Sequence, residues 1–136
     1  MSTSPNYDEA LPIALLSARE ATLARFRAHV TAHELTMEQW RVIRALAEHE
    51  PLTTVQLSKL CVLLTPSLSR MTKNLEARGL IQIRPGTDRR TKLNSLAPKG
   101  RALFNAMIGK TNQIHADLAK LIGEKELELL ILKLSR

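Results

Sequence analysis

At Gly79 the apolar periodicity of this chain changes from helical to alternating, and that switch limits the fold more than any other feature. Before Gly79, apolar residues recur three and four apart, as in helices with one buried face. Over Leu80–Arg84 (LIQIR), Ile81 and Ile83 alternate with Gln82 and Arg84. Over Thr91–Leu96 (TKLNSL), Lys92 and Asn94 flank Leu93. This alternation predicts the two strands of a hairpin. The connection Pro85–Arg90 (PGTDRR) carries a turn signal and a pair of cations at its tip.

The stretch leading into the switch, Thr65–Gly79 (TPSLSRMTKNLEARG), reads as a helix with two unlike faces. Projected at 100° per residue, Leu68, Met71, Thr72, Leu75 and Gly79 share one arc. Pro66, Ser69, Arg70, Lys73 and Ala77 lie opposite, with Ser67 and Asn74 beside them. Thr65 is expected to cap this helix, Pro66 to take its first position and Gly79 to stop it. Its polar face suits phosphates and base edges in a major groove. The alternative is an ordinary solvated face. Upstream, Thr53–Gln56 begins a shorter helix with Leu57, Leu60 and Cys61 inward, and Leu63–Leu64 form the bend. Two short helices at a tight bend make a helix-turn-helix, the second being the reader. With the cationic hairpin they make a winged helix.

The flanks are helical throughout. Residues 8–33 predict a long helix whose apolar positions, Leu11, Leu15, Leu16, Leu23, Phe26 and Val30 among them, are too many for a lone surface helix. Thr36–Gln39 is a capping-box pattern opening a helix to His49, which Pro51 ends. Ala97–Gly100 opens another long helix to Ile122, and Glu124–Leu134 is apolar on nearly every side. Such ends are explained by dimerisation. The expected fold is mainly α with a small β-hairpin. A single domain over residues 1–136 would hold a winged lobe at about 36–97 and dimerisation helices at about 8–33 and 98–134.

Charge separates these parts. Of the net +7, all comes from residues 51–100, which hold nine basic and two acidic side chains; the remainder holds eleven of each. A balanced helical body carrying one cationic segment is the footprint of a nucleic-acid binder. The cations do not share an amphipathic helix with bulky apolar anchors, which disfavours a membrane surface. No apolar run nears the roughly 20 residues needed to cross a bilayer. The start, MSTSPNYDEA, shows no secretion signal, and a single cysteine fits a reducing cytoplasm.

On three segments, LTMEQWRVIRAL (35–46), TPSLSRMTKNLEARGLI (65–81) and DRRTKLNSLAPKG (88–100), the chain resembles the MarR family of winged-helix transcriptional regulators over essentially its full length. LPIALLSAREA (11–21), EQWR (38–41) and CVLLTPSL (61–68) resemble the branch that regulates homoprotocatechuate and related aromatic-acid breakdown. The resemblance implies a homodimer on a pseudo-palindromic double-stranded DNA operator. Thr65–Gly79 would be the recognition helix, with Thr65, Pro66, Ser67, Ser69, Arg70, Lys73 and Asn74 at the DNA. Arg84, Arg89 and Arg90 would serve the wing, whose guanidinium groups suit a narrow minor groove. Asp88 would anchor the wing by pairing with an arginine, Arg70 being the candidate; the alternative is a plain turn residue. One departure stands out: Ala97 occupies the N-cap position where the family usually has Thr.

The resemblance also implies a small anionic or phenolic effector between the dimer helices and the winged lobe. Ser17 and Arg19 in SAREA, with Trp40 and Arg41, are the candidates: an arginine clamps a carboxylate and an indole stacks on a ring. Trp40 as plain core and Arg19 paired with an acid across the dimer are the competing readings. His29 and His33 stand four apart, a metal-ligating spacing that His115 could complete, but solvated or hydrogen-bonded histidines explain them better. Cys61, in LSKLCVLL, has the apolar setting of an inert thiol. No GxxxxGK, HExxH or nucleophile elbow is present, so no enzyme, metal or cofactor is expected. The expected function is a cytoplasmic, sequence-specific repressor released by an aromatic acid. A redox regulator acting through Cys61 and an architectural DNA-binding protein without an effector are the alternatives.

Overall fold

The computed structural model describes residues 4–135. Two helices owe their starts to the same four-residue device. Thr36 Oγ1 accepts the Gln39 N–H at 3.1 Å, while Gln39 Oε1 accepts the Thr36 N–H at 2.9 Å, opening α2 (Met37–His49). Thr53 and Gln56 repeat this, at 3.1 and 2.9 Å, ahead of α3 (Thr54–Cys61). Before them comes α1 (Leu11–Ala32), shorter than the expected 8–33 because a 3-10 turn over Tyr7–Glu9 precedes it. The bend after α3 passes through Val62 at φ 55°, and the Leu63 N–H donates to Ser58 O at 3.0 Å.

The recognition-type helix α4 (Thr65–Ala77) starts differently from expectation. Leu64 is the N-cap and Thr65 the first helical residue; no side chain caps the end, and Thr65 Oγ1 instead reaches Ser58 Oγ at 3.3 Å. Its C-terminus follows the sequence closely. Gly79, at φ 76°, donates to Glu76 O and Leu80 donates to Leu75 O, both at 2.9 Å. That pair of bonds is the Schellman stop, and its positive φ favours glycine. Leu68, Thr72 and Leu75 are buried as projected. Leu60 is not: it lies 47% exposed on the outside of α3.

Three strands form the sheet, where the sequence predicts two. The hairpin of β2 (Ile81–Pro85) and β3 (Lys92–Leu96) is joined by β1 (Leu52–Thr53), in the antiparallel order β1-β3-β2. Asn94 faces both neighbours, opposite Leu52 and Ile83. It is the buried residue of β3, and its Nδ2 donates to Leu52 O at 3.2 Å. The core runs from Trp40, Ile43 and Leu46 of α2 through Leu57, Leu68 and Leu75 to Met107 of α5 (Pro98–Ile122). Ala97 is the N-cap of α5 and supplies no side-chain bond. Gly100 lets α5 approach β2: a Cβ there would stand 1.9 Å from Leu80 O. His29 Nε2 joins α1 to α5 at Met107 O, 3.0 Å away. The last helix, α6 (Glu124–Leu134), buries none of its residues within the protomer.

Candidate nucleic-acid interface and cleft

On α4, Thr65, Pro66, Arg70, Lys73 and Asn74 are exposed, while Ser67 and Ser69 are half-buried. The polar arc therefore faces solvent as projected. Asn74 is partly engaged, since its Oδ1 accepts from Gln39 Nε2 of α2 at 3.3 Å. Glu76, off the polar arc, accepts the Ile83 N–H at 3.2 Å and fixes the angle between α4 and the hairpin. Lys73, Arg84, Arg89 and Lys92 line one groove between helix and hairpin. Among the described residues none of the nine basic side chains between 51 and 100 is in an ion pair. Glu76 is the one acid in that lining, so four cations face a single carboxylate and the groove keeps a positive potential.

Asp88 departs from expectation. Its Oδ1 accepts the Arg90 backbone N–H at 3.1 Å, and its carbonyl accepts the Thr91 N–H at 2.9 Å. An aspartate two residues before the N–H it binds is a local turn-former. Asp88 shapes the wing tip from within and makes no ion pair with Arg70. Arg90 is thereby held by its backbone, with its side chain exposed.

A second concavity, of about 250 Å³, lies between α1, α2 and α5. Arg19, Trp40 and Arg41, singled out from sequence, all line it; Ser17 does not. Ser17 is exposed on α1, two residues before Arg19 and so on another face. Trp40 is 4% exposed and stacks on Phe104 at 5.9 Å, so it is a core residue that also forms the wall. Arg19 is exposed and lies 3.5 Å from Glu20 of its own helix. Arg41 is tied down: its Nη1 donates to Cys61 O at 2.7 Å. Arg44 and His115, not assigned to the cleft from sequence, complete its polar lining, with Arg44 Nη1 3.2 Å from His115 Nε2. Arg44 follows Trp40 by four and Arg41 by three, a helical spacing that marks it for the same side. His115 carried no such signal.

The remaining titratable candidates are structural. Burial pushes the Cys61 thiol up, against a weaker opposing pull from Arg41. His29 and His33 rings meet edge to face at 5.5 Å, and no cluster of three metal-ligating side chains occurs among the described residues. No helix among these residues is long and apolar enough to cross a membrane.

A helix-turn-helix braced on a three-stranded sheet, with a cationic hairpin beyond it, defines the winged helix-turn-helix class. The MarR family model matches residues 33–91. The homoprotocatechuate degradative operon repressor of Escherichia coli is 40% identical over 98 residues, covering 71% of this chain and 66% of that protein. The chain thus spans just under two thirds of that relative. The HTH-type transcriptional regulator FarR of Neisseria gonorrhoeae is 30% identical over 119 residues, 87% of this chain and 82% of its own. The crystal structure of NadR in complex with 4-hydroxyphenylacetate superposes with a TM-score of 0.83 at 28% identity, covering 93% of this chain and 92% of that one. The chain belongs to the MarR family.

Proposed function

We propose that this protein is a homodimeric, sequence-specific DNA-binding repressor of transcription whose hold on DNA is released by a small aromatic carboxylate. The observation that carries the reading is the unpaired cationic groove between α4 and the wing. In this reading Thr65, Pro66, Ser67, Ser69, Arg70, Lys73 and Asn74 meet a major groove, Arg84 the phosphates, and Arg89 and Arg90 a minor groove. Residues 36–97 form the DNA-reading lobe, and helices within 8–33 and 98–134 form the dimer, which a pseudo-palindromic operator mirrors. A binding role rather than catalysis, exercised in the cytoplasm where the DNA is, follows from the same reading. The effector would occupy the cleft beside Trp40, its carboxylate drawn by Arg19, Arg41 and Arg44. The Escherichia coli relative's name and the NadR complex support an aromatic acid. The inert setting of Cys61 disfavours release by oxidation.

The test is anisotropy with an operator fragment at fixed salt. Arg70→Ala and Arg90→Ala should each weaken binding at least tenfold while the dimer stays folded. Each should also reduce the slope of affinity against salt by about one counterion. Unchanged binding in both variants removes the assignment of this face.

A further inference from the structure

The Arg44–His115 contact in the cleft has a definite protonation. A guanidinium carries only donors and stays charged, so at 3.2 Å the His115 Nε2 must be the acceptor. The imidazole is therefore neutral, with its proton on Nδ1. The cleft wall that covers part of the ring, and then the Arg44 charge, hold His115 below the ordinary histidine value of 6.5. Phe26 of α1 contributes to that wall, its ring 4.8 Å from His115.

The charged side chains lining the cleft beside His115 are all of one sign, Arg19 from α1 and Arg41 and Arg44 from α2. The carboxylates around the cleft are engaged outside its lining: Glu20 with Arg19 and Arg27, Glu48 with Arg44, and Asp117, two residues beyond His115 on α5, with Gln113 Nε2 at 2.9 Å. No Asp or Glu lines the cavity. An anion is the missing member of this group.

Resting on the effector reading above, we infer that binding of an aromatic carboxylate in this cleft is proton-linked: the carboxylate lodges between Arg44 and His115, and His115 Nε2 takes up a proton from solvent to hold it. The Arg44 N–H that pointed at Nε2 turns to a carboxylate oxygen, and the new Nε2–H donates to the other. The sign follows from linkage. A bound anion raises the His115 pKa above its depressed unliganded value, so affinity rises as pH falls through the interval between the two. The ligand, ionising near ~4, stays anionic throughout. Below the unliganded value the gain levels off.

Calorimetry in buffers of unlike ionisation enthalpy measures the proton directly. The probes are phenylacetate, 4-hydroxyphenylacetate and benzoate, titrated into the full chain and into His115→Gln. His115 has its outer face in solvent, so this variant leaves the fold intact. The expected result is net proton uptake, of at most one proton per cleft, with affinity rising by up to about tenfold per unit fall in pH. His115→Gln should show neither, while its operator binding without ligand is unchanged. Binding without proton uptake, or uptake that persists in His115→Gln, overturns the inference and leaves the cleft as the effector site. If none of the three acids binds, the cleft reading fails and the inference with it.

Discussion

The winged lobe and the terminal helices leave opposite surpluses at the surface. Within the lobe, Leu46, Leu57, Leu68 and Leu75 are fully buried, and the surplus is positive charge on α4 and the hairpin. At the helical ends the charges are balanced and the surplus is apolar. Leu129, Leu130, Ile131, Leu132 and Leu134 of α6 are 47–68% exposed, as are Leu11 and Leu16 of α1 within that range. A lobe that closes its own core has its charge left to offer a partner, a polyanion in the function proposed above. Helices that do not close theirs await a second apolar surface. The ion pairs among the described residues all use arginines outside 51–100, Arg19 and Arg27 on α1, Arg44 on α2 and Arg101 on α5, which leaves the cations of α4 and the hairpin unpaired.

The strongest way to break this contrast is to remove residues 124–136. If the terminal helices are an interface, the truncated chain should aggregate or unfold rather than form a stable monomer, as read by light scattering. A well-folded monomer at micromolar concentration would show that the ends need no partner.

A smaller effect tests the seam between the two regions. Gly100→Ala would push a methyl into Leu80 O, where only backbone movement relieves the clash. We expect a loss of about 3 kcal/mol or more in denaturant unfolding, above what overpacking usually costs. A loss well under that would mean α5 is not held tightly to the lobe.

The smallest effect compares helix starts. Thr36→Ala removes the hydroxyl half of a capping box and should cost about 1 kcal/mol. Ala97→Ser supplies the cap that α5 lacks, on a backbone already extended at ψ 163°, and should add about 0.5–1 kcal/mol. Equal and negligible shifts in both would show that neither start is limited by its cap.

Much of this was legible in the sequence because its causes are local. The Thr-x-x-Gln starts of α2 and α3, the glycine stop after α4 and the alternation of β2 each depend on residues within a few positions. The solvent-facing polar arc of α4 followed from helical geometry alone. Where a local pattern misled, a neighbour had outcompeted it. Thr65 gave its hydroxyl to Ser58 rather than to the helix end, and Asp88 found the Arg90 N–H two residues on before it could find Arg70. The cleft was half legible: Arg19, Trp40 and Arg41 stood out, and Arg44, half-buried one turn along α2, carries no mark that separates it from a solvated member of an amphipathic helix.

By itself the sequence determined the elements, their ends and which face of α4 carries the polar groups, since these rest on φ, ψ preferences and on periodicities of 3.6 and 2. Only the tertiary structure decided the partners. Two residues of β1 have no pattern of their own and become a strand solely by pairing with β3. Asn94 becomes a buried bridge because that third strand covers it. Arg44 and His115, 71 positions apart, meet because α2 and α5 pack against α1. Contacts of that separation depend on how the whole core closes, and no local window of the chain encodes them.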